Sequence, residues 1–241
     1  MSDQPVVLPM PGHAELRLTT RAGRVAVTAE ERPDVLIESD GPLEDRVEAD
    51  ATGRISVRSP WGGSARLDVR CPAGTDLVVG TVAGKVELRG QLGTVRVTTV
   101  SGSVEIDRAE EVDVRTVAGN IEVARSAGRC RLQTTSGRAT CGSAGDAEMS
   151  TMSGQIRLDG ATGSVRAHSA SGKVEVGIRG QGDVAVQTMS GSVRVEVPQG
   201  LRPAMRLKSL VGRPRCECEE GDDCRITVQS LSGKIEVVCA S

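Results

Sequence analysis

Seven cysteines are the side chains of this 241-residue chain that are best suited to metal or redox chemistry. Cys216, Cys218 and Cys224 are the closest together in sequence, and Cys239 follows them. Structural zinc sites use paired thiols with two to four residues between them, so a C-x-C pair and a later third thiol match them poorly. A metal site and a disulfide among these thiols both stay open, as does an inward, apolar role for Cys216 and Cys218. We expect no metal and no cofactor.

Three glutamates, Glu87, Glu105 and Glu122, recur at equivalent positions of a repeated sequence pattern. On neighbouring strands they repel one another unless a cation such as Lys85 screens them. Divalent-cation binding therefore stays open, as does acid–base catalysis of the kind that carbohydrate-active β-helix enzymes perform. The chain has two histidines and no tyrosine, so few other groups are suited to proton transfer. We expect that the protein is not an enzyme.

The strands that carry these residues follow from an internal repeat. The stretch Thr94–Gly102, T-V-R-V-T-T-V-S-G, recurs with drift to the end of the chain, and each copy closes on a glycine. A second apolar alternation, G-x-V-x-V, follows each closing glycine, so each copy contains two short strands. The period of about 18 residues predicts an all-β fold, a parallel β-solenoid of about eight or nine coils. The predicted turn glycines are Gly84, Gly102, Gly119, Gly137, Gly154, Gly172, Gly191, Gly212 and Gly233.

A hydroxyl side chain stands three residues before the closing glycine in every copy. One hypothesis is a flat hydroxyl array that binds ordered water or a glycan. The other is a structural ladder, in which each hydroxyl bonds a backbone group of the turn or its neighbour in the next coil. We expect the structural ladder, and its members are Thr99, Thr116, Thr134, Thr151, Ser169, Thr188, Ser209 and Ser230.

The repeat divides the chain into three regions. Residues 1–12 contain three prolines and are expected to be a disordered lead-in. Residues 13–75 alternate apolar and polar side chains with irregular spacing, which predicts a short antiparallel β cap. The solenoid then covers residues 76–241. Its last coil, ending in Glu236–Ser241, has no capping helix in sequence and is expected to be an open edge that self-associates.

Composition limits the possible partners and location. The chain has no phenylalanine, no tyrosine and one tryptophan, which suits a thin aliphatic interior and provides few platforms for stacking bases or sugars. The net charge of −2 gives no basic footprint for nucleic acid. No stretch is typical of a signal peptide or a membrane span, so we expect a cytoplasmic protein with reduced thiols and no direct membrane insertion.

The repeated T-x-S-G-x-V-x-V, entered through V-R-C-P-A-G-T-D-L-V-V-G-T-V-A-G-K-V-E-L, resembles the DUF4097 family of bacterial β-strand-repeat proteins. These proteins are also called adhesin-like or Toastrack domains. The resemblance covers roughly residues 65–241 and implies a single-chain, right-handed β-solenoid without catalytic residues.

The expected function is therefore a non-catalytic scaffold or interaction module that binds a protein partner or a second copy of itself. A cell-surface or glycan-binding adhesin is the nearest alternative. A carbohydrate-active β-helix enzyme is an alternative from another class, and it requires Glu87, Glu105 and Glu122 to line one groove.

Overall fold

The computed structural model describes residues 5–9, 15–40, 46–50, 53–58 and 65–239. Every regular element in these ranges is a β-strand, so the described part of the chain contains no helix that could cross a lipid bilayer. The chain forms two compact units, Met1–Glu122 (unit 1) and Val123–Ser241 (unit 2).

The strands of unit 1 are β1 (Val6–Pro9), β2 (Glu15–Thr19), β3 (Ala22–Glu30), β4 (Asp34–Ser39), β5 (Val47–Ala49), β6 (Ile55–Arg58), β7 (Ala65–Pro72), β8 (Asp76–Gly80), β9 (Ala83–Ser101) and β10 (Val104–Ala118). The boundary between the units falls in β11 (Ile121–Ser126). The strands of unit 2 are β12 (Arg129–Ser143), β13 (Asp146–Ala161), β14 (Val165–Ile178), β15 (Val184–Ser190), β16 (Val193–Val197), β17 (Pro203–Val211), β18 (Arg215–Cys216), β19 (Cys224–Ser232) and β20 (Ile235–Cys239).

Alternation of side chains forms the core of each coil. In β15, the inward side chains of Val184, Val186 and Thr188 are buried. The alternate side chains of Gln187 and Met189 are exposed. Neighbouring coils pair in parallel and in register, so valine, leucine and isoleucine stack in columns through the interior. The predicted all-β parallel solenoid is confirmed. The aliphatic core also agrees with the scarcity of aromatic residues in the sequence.

Gly172 shows why each copy closes on glycine. It lies at the corner between the two strands of its coil, with a φ of 137° that L side chains rarely adopt. A Cβ at this position would overlap the carbonyl oxygen of Gly154 in the neighbouring coil. Similar overlaps would occur in unit 1 at Gly102 and in unit 2 at Gly191, so the coils stack too closely for any side chain at this corner.

Unit 1 contains two coils that the repeat analysis places in the cap. Leu16 and Leu18 of β2, followed by Val25 and Val27 of β3, form a coil that pairs in parallel with β8 and β9. On its other side the same coil pairs in parallel with β6 and β7. Four of the six strands described between residues 13 and 75 therefore belong to the parallel solenoid. The order of coils in space differs from their order in sequence, because β6 and β7 stack outside β2 and β3.

In the described part of unit 1, three strands at the outermost coil pair antiparallel. Strand β4 pairs with β7, β1 pairs with β4, and β5 pairs with β6, all antiparallel. The prediction of an antiparallel cap over 13–75 is thus correct only for β4 and β5 with their partners. Val6–Pro9 falls within the lead-in that is expected to be disordered, yet it forms β1. Pro9 is accommodated because β1 pairs only with β4. Residues 1–4 and 10–12 of the lead-in lie outside the described ranges.

Unit 2 also stacks one coil out of sequence order. The coils beginning with β12, β13, β14 and β15 follow one another in register. Next comes the last coil of the chain, since β19 pairs with β15 and β20 pairs with β16. The preceding coil lies outermost, with β17 on β19 and β18 on β20. The expectation that the last coil in sequence forms an open edge is wrong, because β17 and β18 cover β19 and β20.

Candidate functional site

The predicted hydroxyl ladder lies mostly below the surface. All of its members are buried except Ser209, which is half-buried on the outermost coil. Thr134 and Thr188 donate hydrogen bonds to the carbonyl oxygens of Ser136 and Ser190, two residues further along the turn. Ser209 donates to the carbonyl of Val211 in the same way, at 3.1 Å. The burial of this column favours the structural ladder over a hydroxyl array that binds a glycan, and the ladder stays a prediction.

The remaining ladder hydroxyls have no hydrogen-bond partner among the described protein groups: Thr99, Thr116, Thr151, Ser169 and Ser230. The ladder therefore stabilises the corners of some coils by hydrogen bonds and those of others by packing alone. Two further members were missed in the sequence, Thr20 and Thr81, whose hydroxyls are 3.1 Å apart. The pattern T-x-A-G after each of them, ending at Gly23 and Gly84, is the signal that identifies them.

An exposed apolar side chain follows the ladder hydroxyl in most coils, and the sequence reasoning did not recognise this column. In each unit we call it the apolar ridge. In unit 1 the ridge consists of Val82, Val100 and Val117, each about half exposed. In unit 2 the members in spatial order are Met152, Ala170, Met189, Leu231 and Leu210, and Leu210 is 79% exposed. The sequence signal for this ridge is an apolar residue between the ladder hydroxyl and the Ser-Gly or Ala-Gly that closes the copy.

An open groove of about 1040 Å³ runs beside the apolar ridge of unit 2. The buried hydroxyl column lies between the ridge and a second outward column, which consists of Ser150, His168, Gln187, Gln229 and Lys208. Neither a carboxylate nor a thiol lines this groove within the part of the chain that the structure describes. No carboxylate or thiol therefore accompanies His168 in the lining described, and the groove offers apolar contact, hydroxyl and amide hydrogen bonds and the cation of Lys208.

Cations pair with Glu87 and Glu105, two of the three members of the glutamate column. Glu87 is buried in β9 and forms ion pairs with Arg24, Lys85 and Arg89. Lys85 Nζ bridges two members of the column, at 2.8 Å from Glu87 Oε1 and 2.9 Å from Glu105 Oε1. The hydrogen bond from Lys85, followed by that from Arg24, lowers the pKa of Glu87. A general acid at neutral pH needs a raised pKa, so this carboxylate is suited to ion pairing and not to proton donation.

Cys216 and Cys218, on the outermost coil of unit 2, lie close to the sulfur atoms of Met205 and Cys239. Cys224 is closer to them in sequence but is not part of this set. Cys216 Sγ is 3.1 Å from Met205 Sδ and accepts a hydrogen bond from the backbone N–H of Cys218. Burial, followed by contact with the thiol of Cys239, raises the pKa of Cys218 to about 12. Cys239 joins the set because β18 pairs with β20, and extending this register places Cys218 beside Cys239.

Cys224 is separate from this set, since it is buried at the start of β19, where burial followed by Asp183 raises its pKa. All seven cysteines are free thiols. No group of three or more His, Cys, Asp or Glu side chains in the described ranges is arranged to hold a metal ion.

The fold of this chain is similar to the folds of solved structures. A candidate adhesin from Bacteroides fragilis NCTC 9343 is 13% identical over 98% of this chain and 96% of its own, with a TM-score of 0.54. A candidate adhesin from Parabacteroides distasonis ATCC 8503 is 12% identical over 98% of this chain and 96% of its own, with a TM-score of 0.44. At these identities the likeness of the first structure supports the fold alone. No curated protein matches the sequence.

The family comparison is more specific than the structural one. The sequence description of the Toastrack DUF4097 family matches residues 29–237, which include all the solenoid coils except the one formed by β2 and β3. This match covers most of the chain and agrees with the parallel strands and corner glycines described above. The chain belongs to the Toastrack DUF4097 family.

Proposed function

We propose that this protein is a non-catalytic interaction module that binds a protein partner through the apolar ridge and groove of unit 2. The observation that carries the proposal is the distribution of exposed apolar side chains. Seven of the nine large apolar side chains that are exposed among the described residues belong to the two ridges. Exposed apolar side chains that are contiguous instead of scattered are typical of interaction surfaces.

The chemistry of the groove favours a polypeptide partner. Met152 and Met189 are flexible and adapt to different apolar side chains. Gln187 and Gln229 donate and accept hydrogen bonds, as a polypeptide backbone does. No aromatic side chain lines the groove in the described ranges, so it lacks the stacking platforms on which sugars commonly bind. Adhesion at a cell surface is the second form of the same proposal, and the names of the structural relatives are compatible with it. The cytoplasmic location expected from the sequence stays a prediction.

Paired charge substitutions test the ridge. Met189→Glu with Leu231→Glu places two carboxylates on adjacent strands of the ridge, where both native side chains are exposed. The control is Ala185→Glu with Thr227→Glu, which places two carboxylates on the same strands outside the groove. Each protein is immobilised and used to capture partners from lysate of the native source. We expect the ridge variant to capture at least tenfold less partner than the native protein and the control variant to capture as much as the native protein. Equal capture by the ridge variant, or capture of nothing by the native protein, would overturn the proposal.

A further inference from the structure

Strand β17 is the free edge of unit 2. It pairs with β19 on one side, and on its other side no strand pairs with it within the described ranges. Its inward side chains Met205 and Leu207 are only half-buried, whereas Ile226 and Val228, their partners in β19, are fully buried. A row of backbone N–H and C=O groups beside partly exposed apolar side chains is able to accept one more strand.

The same edge is basic, and the two cations on β17 itself form no ion pair with a described residue. Residues 202–215 contain five cationic side chains and no acidic one, in a chain whose net charge is −2. On β17 these are Arg206 and Lys208, which point outward at alternate positions and form no ion pair with any described residue. Their register neighbours in β19 are the uncharged Thr227 and Gln229. Some outward charges elsewhere in unit 2 do have partners, as Arg131 does in Glu148, at 3.1 Å.

We propose that the free edge of β17 binds an extended acidic polypeptide segment as an added β-strand. The unpaired backbone groups would bond the backbone of the segment. Arg206 and Lys208 would select aspartate or glutamate at alternate positions, because opposite charges on adjacent strands attract. Met205 and Leu207 would contact apolar side chains at the intervening positions. The preferred segment therefore alternates acidic and apolar residues.

Charge decides between this occupant and a second copy of the chain. Two β17 edges pairing antiparallel about Leu207 would place Arg206 of one copy opposite Lys208 of the other, and like charges in this position are destabilising. Phosphate groups of nucleic acid or lipid would satisfy the two cations but not the backbone edge. Leu207 and Lys208 also line the groove of unit 2. The ridge test substitutes Met189 and Leu231, whereas the edge test measures binding of a peptide of defined sequence, so failure of one proposal can be distinguished from failure of the other.

Fluorescence anisotropy with a labelled peptide of five Val-Glu repeats tests the inference on the full-length protein. We expect saturable binding to the native protein and at least tenfold weaker binding to the double variant Arg206→Glu with Lys208→Glu. The control is Arg166→Glu, which reverses an outward charge on β14, a strand paired on both sides. It should bind as the native protein does. If the double reversal fails to fold, Arg206→Gln with Lys208→Gln should still weaken binding. Binding that is unchanged in either pair of substitutions would overturn the inference.

A second peptide separates strand addition from simple charge attraction. In this peptide two central valines are replaced by proline, which keeps the charge but removes backbone donors and disfavours pairing. We expect at least tenfold weaker binding than for the Val-Glu peptide. Equal binding of the two peptides would overturn the inference, and so would tighter binding to duplex DNA or to anionic lipid vesicles than to the Val-Glu peptide.

Discussion

The outermost coil of unit 1, β6 with β7, and the outermost coil of unit 2, β17 with β18, each have an edge that no further coil covers among the residues described. In unit 1 the antiparallel strands β4 and β5 pair with these edges, and Val35 and Ile37 of β4 are fully buried. In unit 2 the edge of β17 stays unpaired in the described residues, and Arg206 and Lys208 stand along it. Paired strands and edge cations are both known ways of preventing uncontrolled strand association. Only the second leaves the edge available to a ligand that neutralises the charge.

The two units share a different feature, which is that the first coil and the last coil in sequence are each covered on both sides. In unit 1 the first coil in sequence, β2 with β3, is paired on both sides. In unit 2 the last coil, β19 with β20, is also paired on both sides. Terminal segments fray unless something holds them, so the exchanged order of coils stabilises both. The coils that become outermost are internal in sequence.

The largest expected difference between inner and outermost coils concerns the corner glycines. Gly172 and Gly212 have nearly the same φ, 137° and 135°, so alanine should strain both backbones similarly. At Gly172 the added Cβ would overlap the backbone of Gly154, and coils on both sides prevent relaxation. At Gly212 the nearest atom, the carbonyl oxygen of Gly233, would be at 2.6 Å on a coil that is free to shift.

We therefore expect Gly172→Ala to lower the free energy of unfolding by about 3 kcal/mol and Gly212→Ala by about 1 kcal/mol. Urea denaturation followed by circular dichroism measures both. Equal losses would show that backbone strain, and not close stacking of the coils, requires glycine at this corner.

The covered and the open edges should also differ in their response to truncation of an apolar side chain. Ile37 of β4 is fully buried, and Ile37→Ala should cost about 3 kcal/mol because it leaves a cavity. Leu207 of β17 is half-buried, and Leu207→Ala should cost about 1 kcal/mol or less because water reaches the site. Thermal unfolding of the two variants and the native protein gives the comparison. A larger loss for Leu207→Ala would mean that the edge of β17 is covered in solution.

The smallest expected effect is the contribution of the ion pairs around Glu87, in unit 1, to the stability of the fold. Because Lys85 and Arg24 lower the pKa of Glu87 in the folded state, ionised Glu87 stabilises the fold above its unfolded-state pKa of about 4.3. This contribution is lost as the pH falls through the lowered pKa. We expect the stability of the native protein to decrease between about pH 5 and pH 3 more steeply than that of Glu87→Gln.

The matched control for this pH dependence is Glu196→Gln, since Glu196 is exposed and forms no ion pair with a described residue. Its unfolding curve should follow that of the native protein across the same range. If the slopes of all three proteins coincide, the ion pairs around Glu87 do not contribute to folding.

Sequence was sufficient to predict the parallel solenoid, because the period of the repeat and the corner glycines are local features. The coil of Leu16–Val27 was harder to recognise, because residues 30–75 separate Thr20 from its spatial neighbour Thr81. The order of coils could not be predicted. Each copy carries the same apolar alternation and therefore fits beside any other copy, so the sequence does not specify that β19 lies between β15 and β17.

The candidate sites also divide into features that are local in sequence and features that depend on the order of the coils. The apolar ridge was visible in the sequence, because Met152, Met189 and Leu231 occupy the same position of their copies. The grouping of Cys216 and Cys218 with Cys239 instead of Cys224 was not visible, because it depends on the exchanged order of coils. The open edge of β17 was hidden for the same reason, since three further strands follow it in sequence.

Hydrogen exchange of backbone amides, followed by mass spectrometry, tests the central claim that the edge of unit 2 is open while that of unit 1 is covered. Residues 67–70 of β7 pair with β3 on one side and with β4 on the other, so we expect their amides to be protected throughout. Alternate amides of β17 face an unpaired edge, so about half of those in residues 204–211 should exchange within seconds. The Val-Glu peptide should slow this exchange. Protection of β17 equal to that of β7 in the absence of any peptide would contradict the account.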